Sequence, residues 1–162
     1  METTLAPRPG YDMETIRFSG LRGKNLRTWL LLPLRLLLAL WQSASVIRRV
    51  RPDVVLGMGG YPAFPGGMMA SFLAKPLLIH EQNSIPGLAN RILTKVADKV
   101  LLGFPGAIRN GGKVMFTGNP VRSEISQLPP PRERYASRSG RLKLLVIGGS
   151  LGAQALNTIL PL

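Results

Sequence analysis

Three glycine-rich loops and one polar tetrad are the parts of this sequence that could do chemistry. The loops are residues 57–61, 117–122 and 148–153, and the tetrad at residues 80–83 lies between the first two. Glycine lets the backbone approach a ligand closely, and a loop that opens a helix directs free N–H groups toward negative charge. The set therefore predicts binding of a phosphate or diphosphate and, with it, nucleotide-linked chemistry.

The tetrad consists of His80, Glu81, Gln82 and Asn83 and follows an apolar segment. At the end of an apolar strand, His80 is predicted to be structural rather than a catalytic base. Glu81 would be costly to bury without partners, so we expect it to meet hydrogen-bond donors at the strand end, where ligands of α/β proteins bind. The sequence leaves open whether the glycines of the first loop are turn residues or approach a ligand.

Composition restricts the class of partner. The 162 residues carry 21 Lys and Arg against 8 Asp and Glu, a net charge of +13 that favours anionic partners. No cysteine and a single histidine are present, so no metal site is predicted. The basic residues around Tyr135 lack interleaved aromatics, which argues against nucleic acid. Ile147 stands where a dinucleotide fingerprint has its first glycine, so no NAD or other cofactor is predicted.

The segments that must position these residues alternate between strand and helix patterns. Strands are predicted over residues 13–18, 53–58, 75–80, 99–104 and 114–117, and helices over 26–50, 63–74 and from Pro86 to Val96. Apolar strands separated by helices predict an α/β fold with a parallel sheet covered on both faces. The proline-rich, charged residues 128–141 predict a linker, and a strand at 142–147 would begin a second domain.

The helix predicted over residues 26–50 is mostly apolar. Its polar residues recur every seven or eight positions and form one narrow stripe: Arg27, Arg35, Gln42 and Arg49. Pro33 predicts either a kink or a restart after a short first segment. The apolar run is too short to span a bilayer, which needs about 20 residues. The helix is therefore either buried in the core or also exposed to lipid.

Four motifs together resemble those of the MurG family in order and spacing. They are RPDVVLGMGGY at residues 51–61, HEQN at 80–83, GNPVR at 118–122 and GGSLGA at 148–153. The resemblance implies an inverting hexosyltransferase of the GT-B type, with two Rossmann-like domains. It also implies transfer of N-acetylglucosamine from UDP-GlcNAc to undecaprenyl-pyrophosphoryl-MurNAc-pentapeptide (lipid I). The product is lipid II for peptidoglycan, made at the cytoplasmic side of the bacterial inner membrane by a peripheral protein.

The resemblance also implies roles for individual residues. Asn83, Arg122 and Ser150 match positions that contact the UDP-sugar, and Arg122 with the N–H groups near Ser150 could stabilise the departing diphosphate. Four residues match the acceptor side of the cleft: Gly59, Gly60, Tyr61 and Glu81. The family's base lies in a Gly-Gly-x-Gly-Gly-His loop that this sequence lacks. No catalytic base is therefore predicted here, and the isolated chain is expected to be inactive.

The resemblance predicts a domain plan truncated at both ends. Residues 1–127 would form an acceptor-binding domain without its first strand and loop, 128–141 the linker, and 142–162 the first strand-helix unit of the donor domain. Predicted partners are UDP-GlcNAc, lipid I, other cell-wall synthesis proteins and an anionic membrane surface. The membrane contacts would be Arg22, Lys24, Arg27, Trp29, Leu30, Leu34, Arg35 and Leu37. The alternative is a non-catalytic basic α/β module that binds a membrane surface or a cell-wall protein.

Overall fold

The computed structural model describes residues 12–16, 18, 30–109, 111–136 and 138–141. The chain divides into two compact units, residues 1–120 and residues 121–162. The first unit contains, in order, α1 (Leu32–Val50), β1 (Val55–Gly57), α2 (Ala63–Phe72), β2 (Leu77–Glu81), α3 (Leu88–Leu93), β3 (Lys99–Leu102), a 3-10 turn (Gly111–Lys113) and β4 (Val114–Phe116).

The four strands form one parallel sheet in the order β1-β2-β3-β4. The register pairs Val55 with Leu77, Ile79 with Val100, and Leu102 with Phe116. Helix α2 connects β1 to β2 and α3 connects β2 to β3. This arrangement confirms the predicted α/β fold with a parallel sheet.

The hydrophobic core lies between one face of the sheet and the helices. Leu77, Ile79 and Val100 point from the strands toward α2 and α3, and α1 packs against α2 and contributes to the same core. Each strand lies beside the strand that follows it in the chain, always on the same side. Because connections between parallel strands are right-handed, the connecting helices then lie on the same face of the sheet. The buried cluster consists of Ile47, Ala70, Leu77, Ile79, Leu93, Ala97, Val100 and Leu102.

The opposite face of the sheet is partly open. Side chains alternate along a strand, so Leu56 and Met115 point away from the core, and they are 52% and 50% exposed. Within the described residues, the expectation of a sheet covered on both faces is therefore wrong. Residues 53–58 were expected to form a buried strand, but β1 is a three-residue edge strand with one face exposed.

Part of the long helix predicted from the apolar pattern lies within the described residues. Helix α1 begins at Leu32 and carries Pro33 in its first turn, where the missing N–H costs nothing. This position supports the restart rather than the kink. The predicted start near residue 26 lies outside the described residues. The buried face of α1 is narrow and built largely of small side chains: Ala39, Ser43, Ala44 and Ile47.

The strand predicted over residues 13–18 is wrong for the described residues of that segment. The amide of Phe18 donates to the carbonyl of Ile16 at 2.9 Å, a local turn that replaces ladder bonds. Alternation alone cannot stabilise a strand that has no partner to pair with. Instead, Glu14 forms an ion pair with Arg49 at 2.6 Å on the surface.

The second unit contains two short helices among its described residues, α4 (Ser123–Ser126) and α5 (Pro131–Tyr135). Helix α5 lies within the segment predicted as a linker, and Pro131 suits its first turn. Arg138 stacks over the ring of Tyr135 at 4.5 Å. The predicted strand at 142–147 lies outside the described residues, so the domain plan stays a prediction.

Two adjacent glycines on α2 allow a matched test of core packing. A Cβ at Gly66 would meet nothing within 4 Å, whereas a Cβ at Gly67 would lie 2.8 Å from a methyl of the fully buried Leu93. We expect Gly66→Ala to raise the free energy of unfolding by about 0.5–1 kcal/mol through helix propensity. Gly67→Ala should be less stable than Gly66→Ala by about 1–3 kcal/mol because Leu93 must move. Urea denaturation measures both, and equal stabilities would contradict this packing.

Candidate functional site

The carboxyl ends of the parallel strands meet at one edge of the sheet, which we call the exit edge. Residues 57–61 end and follow β1, residues 81–83 end and follow β2, and residues 117–120 follow β4. In open α/β sheets this edge is where ligands bind. The first two glycine-rich motifs, as far as Pro120, and the polar tetrad therefore lie together at this edge.

The carboxylate of Glu81 is the most heavily bonded side chain of the exit edge. It is only 2% exposed. Its Oε1 accepts the backbone N–H of Asn83 at 3.0 Å and the Asn83 Nδ2 at 3.1 Å. Its Oε2 accepts the backbone N–H of Gly87 at 3.1 Å and the Asn90 Nδ2 at 2.9 Å. The carboxylate thus fixes the loop between β2 and α3 from the inside.

Two opposing effects act on the pKa of Glu81. Burial raises the pKa because it disfavours the charged form, but the hydrogen bonds from Asn83, Asn90 and Gly87 favour that form and together lower the pKa below its usual value. Glu81 is therefore ionised in the folded protein at neutral pH. A carboxylate with a lowered pKa and its oxygens occupied by donors is a poor proton acceptor, so Glu81 acts as an anchor rather than a base.

Asn90 is a site residue that the sequence analysis missed. It is buried on α3, and its Nδ2 donates both to Glu81 and to the carbonyl of His80, the latter at 3.2 Å. The opposite amide orientation would place Oδ1 against the carboxylate, so electrostatics fixes the orientation. Among the described residues, Oδ1 itself has no hydrogen-bond partner. In the sequence, Asn90 is one amide residue on the apolar face of a short predicted helix. That pattern does not indicate a site unless the position of Glu81 is known.

The loops of the exit edge are tied to one another by side-chain amides. Gln82 Nε2 donates to the carbonyl of Met58 at 2.7 Å, and Asn119 Nδ2 donates to the carbonyl of Gln82 at 3.1 Å. These bonds link the loops after β1, β2 and β4 directly. Gly103, which follows β3, leaves no room for a side chain, because a Cβ there would lie 2.0 Å from Asn119 Oδ1.

The loop after β1 needs glycine for two separate reasons. Gly59 and Gly60 have φ angles of 84° and 74°, a region that side-chain-bearing residues rarely adopt. A Cβ at Gly59 would also lie 3.0 Å from Asn90 Nδ2, the group that holds Glu81. Tyr61 follows them, half-exposed, with its ring 6.0 Å from that of Phe18. Phe18 had been predicted only as part of a strand.

His80 has the structural role that the sequence predicted. Its side chain is buried, and Nε2 lies 3.0 Å from the carbonyl oxygen of Gly118. A carbonyl only accepts, so Nε2 carries the proton, and Nδ1 has no partner among the described residues. His80 therefore fastens the loop after β4 to strand β2. Neither nitrogen is placed to take a proton from a substrate in solvent.

The remaining predicted site residues are distributed as follows. Gly59, Gly60, Tyr61, Glu81 and Asn83 lie at the exit edge, with Asn83 exposed. Arg122 belongs to the second unit, where it is exposed and occupies the N-cap position of α4 without a side-chain capping bond, and Ser150 lies outside the described residues. Within the part of the chain that the structure describes, no three His, Cys, Asp or Glu side chains are grouped to hold a metal ion.

Comparison with known proteins identifies the family. The model of the glycosyltransferase family 28 N-terminal domain matches residues 1–102. The chain belongs to this family. The family 28 chain is 78% identical to the UDP-N-acetylglucosamine–N-acetylmuramyl-(pentapeptide) pyrophosphoryl-undecaprenol N-acetylglucosamine transferase of Nitrosospira multiformis. That alignment covers 161 residues, which are 99% of this chain and 45% of the relative.

A second relative and a solved structure agree with this assignment. The transferase of the same name from Nitrosomonas europaea is 62% identical over 162 residues, which are 99% of this chain and 45% of the relative. The crystal structure of Acinetobacter baumannii MurG is 32% identical, with a TM-score of 0.74, and the match covers 97% of this chain and 43% of that one. The resemblance to the MurG family is confirmed, and the family 28 chain spans less than half of its relatives' length.

Replacement of the central carboxylate tests the exit edge. Glu81→Gln keeps the size of the side chain but turns an NH₂ group toward the donors, so we expect the free energy of unfolding at pH 7 to fall by about 1–3 kcal/mol. Because the folded-state pKa is lowered, the contribution of Glu81 is present above the usual glutamate pKa of about 4.3 and is lost as the pH falls through the folded value.

The difference between wild type and Glu81→Gln should therefore shrink below about pH 4.3. Urea denaturation across this range measures it. The exposed Glu124→Gln serves as the matched control and should change stability little. A difference that stays constant with pH would contradict the bonded, ionised carboxylate.

Proposed function

We propose that this family 28 chain is part of an enzyme that transfers N-acetylglucosamine from UDP-GlcNAc to lipid I, giving lipid II. The observation that carries the proposal is its 78% identity, over nearly the whole chain, to a relative named for that transfer. The geometry supports it, because the motif residues up to Pro120 are fixed at one sheet edge suited to a ligand. Peptidoglycan synthesis is the corresponding process.

The proposed reaction exchanges one bond at the anomeric carbon for another. The bond from that carbon to the UDP oxygen breaks, a bond to the acceptor hydroxyl oxygen forms, and the hydroxyl proton passes to a base. Asn83 is proposed to bind the donor sugar: Glu81 holds its Nδ2, and its exposed side chain leaves Oδ1 for a sugar hydroxyl. The Arg122 guanidinium and the N–H groups near Ser150 are proposed to stabilise the departing diphosphate.

The acceptor side is proposed to use the loop after β1. Helix α2 begins directly after this loop, and its first turn has no side-chain cap. The N–H groups of Ala63 and Phe64 in that turn already donate to the carbonyls of Gly60 and Tyr61, both at 3.3 Å. What favours an anion here is the partial positive charge of the helix end, and the diphosphate of a polyprenyl-linked acceptor is an anion. Gly59 and Gly60 allow the ligand to approach the backbone, and Tyr61 offers an exposed ring and hydroxyl beside it.

We also propose that the protein binds peripherally to the cytoplasmic side of the bacterial inner membrane through α1. Leu34, Leu37 and Trp41 recur at helical spacing and are 66%, 63% and 68% exposed, and Leu30 and Leu38 flank them. Arg35 is exposed on the same helix and can meet anionic headgroups. No helix in the described part of the chain is long and apolar enough to cross a bilayer.

Four of the predicted membrane contacts lie outside the described residues: Arg22, Lys24, Arg27 and Trp29. They stay predictions, as does binding to other cell-wall synthesis proteins. The alternative, a non-catalytic module, would use the same exposed face of α1 and differs only in the chemistry. A transfer assay therefore discriminates between the two.

A chimera tests the transfer. The matching 161 residues of the Nitrosospira multiformis transferase are replaced by this chain, and transfer of N-acetylglucosamine to lipid I is measured. We expect the chimera to be active because the exchanged segments are 78% identical. Arg122→Ala should lower kcat by about 100-fold through lost stabilisation of the leaving group, and Asn83→Ala should lower kcat/KM. Arg109→Ala, another exposed arginine, is the matched control and should leave both constants unchanged.

Two results would contradict parts of this proposal. A folded but inactive chimera would reject the transferase function and favour the non-catalytic module. An active chimera in which Asn83→Ala and Arg122→Ala behave like Arg109→Ala would keep the function and reject these two donor contacts.

Polar substitution on α1 tests the membrane contact. Leu34→Gln with Leu37→Gln should weaken binding of the chain to vesicles by at least tenfold, since each buried leucine contributes about 1.5–3 kcal/mol. The matched control is Ile85→Gln with Leu88→Gln, two apolar residues outside α1 that are even more exposed. Sedimentation with phosphatidylglycerol vesicles measures binding. Equal loss in both pairs would show that α1 is not the contact.

A further inference from the structure

A basic cavity lies at the opposite edge of the sheet from the exit edge. It has a volume of about 430 Å³ and is lined by Ile47, Arg48, Arg51, Leu73 and Lys75. Arg51 precedes β1 and Lys75 precedes β2, so the cavity is at the amino ends of these two strands. We call it the entry pocket. None of its residues belongs to the site proposed for transfer.

The three cations of the entry pocket have no counter-ion among the residues that the structure describes. In the described parts of the chain, the side chains of Arg48, Arg51 and Lys75 form no ion pair and no hydrogen bond. Like charges that share a cavity repel one another, and a bound anion would relieve that repulsion.

The partial negative charges at helix C-termini are too small to neutralise the three cations. Helices α1 and α2 both end beside the pocket, and each end carries roughly −0.5 of a charge, which leaves an excess of about +2. Two carbonyls at these ends already accept backbone N–H groups, from Arg51 to Ile47 and from Lys75 to Ala70, both at 2.9 Å. The cationic side chains are therefore not needed to bond these carbonyls and are available to bind an anion.

The apolar part of the lining indicates what kind of anion fits. The nearly buried Ile47 and the half-buried Leu73 form part of the wall. Phe72, the residue before Leu73, is 84% exposed. A strongly hydrated inorganic ion makes no favourable contact with such apolar surfaces. A phosphate attached to an apolar molecule can pair its charge with the cations and pack its apolar part against Ile47 and Leu73.

The entry pocket continues the exposed face of α1. Arg48 follows Trp41 by seven residues and Leu37 by eleven, so the three side chains emerge on one side of the helix. The rise from Trp41 to Arg48 is about 10 Å. One surface of the chain therefore carries exposed leucine and tryptophan side chains next to a pocket with three cations. A membrane has the same sequence of layers, because its apolar acyl chains lie next to charged headgroups.

We propose that the entry pocket binds the phosphate of an anionic phospholipid headgroup while the apolar face of α1 contacts the acyl layer. The proposal rests on the membrane contact proposed above and adds a defined headgroup site to it. Arg48 and Arg51 supply forked donors for phosphate oxygens, and Lys75 adds a third charge. The exit edge stays clear for its own ligands.

Two triple variants of equal charge test the proposal. The first is Arg48→Gln, Arg51→Gln and Lys75→Gln in the pocket, and the control is Arg91→Gln, Lys95→Gln and Lys99→Gln, three exposed cations elsewhere in the same unit. With vesicles containing phosphatidylglycerol, we expect the pocket variant to bind about 100-fold more weakly, roughly fivefold per cation, and the control less than tenfold. Thermal unfolding of both variants establishes that they are folded.

A membrane-free measurement separates this pocket from the membrane contact itself. Glycerol phosphate should bind the wild-type and control chains, as followed by thermal shift, and should not bind the pocket variant. Equal losses of vesicle binding in the two triples, with no effect of glycerol phosphate, would overturn the headgroup site and leave the α1 contact standing. If the wild-type chain binds glycerol phosphate but no vesicles, the phosphate bound in the pocket does not belong to a membrane lipid. That result would contradict the membrane contact as well.

Discussion

The geometry of the exit edge depends on the buried, ionised carboxylate of Glu81. An ionised carboxylate inside a protein is tolerated only if donors surround it, and here they come from the loop that follows β2 and from α3. The same bonds fix Asn83, the residue proposed to contact the donor sugar. Asn90 extends the constraint to the first loop, because it packs against Gly59. One charge thus determines the shape of two loops.

The two ends of the sheet carry different chemistry. At the exit edge, the buried groups bond to each other, so the site presents amides and an aromatic ring rather than excess charge. At the entry pocket, three cations have no ion pair with any described residue. Helix α1 packs against α2 and exposes leucine and tryptophan side chains on the face that leads to this pocket. A chain of high positive charge therefore concentrates part of that charge away from its proposed catalytic edge.

Sequence patterns predicted the parts of this fold that depend on local order. Glycines after apolar runs predicted the loops after β1 and β4, and alternating elements predicted the parallel sheet. Other features depend on residues distant in sequence. Asn90 matters only because α3 packs its amide beside Glu81. Residues 13–18 have the alternation of a strand, but the described residues of that segment pair with no strand that the structure describes. Exposure of α1 and of Leu56 reflects which surfaces the neighbouring elements cover, and no single segment encodes that.

The strand order has a consequence for how the first unit folds. Each strand pairs with the strand that follows it in the chain. The segment of chain closed by each pairing is therefore only the one connection between those two strands. Short loops cost little entropy to close, and a topology built from such neighbours has few long-range pairings. A nascent chain could therefore add β2, β3 and β4 in turn as each leaves the ribosome. The order of synthesis and the order of assembly would be the same.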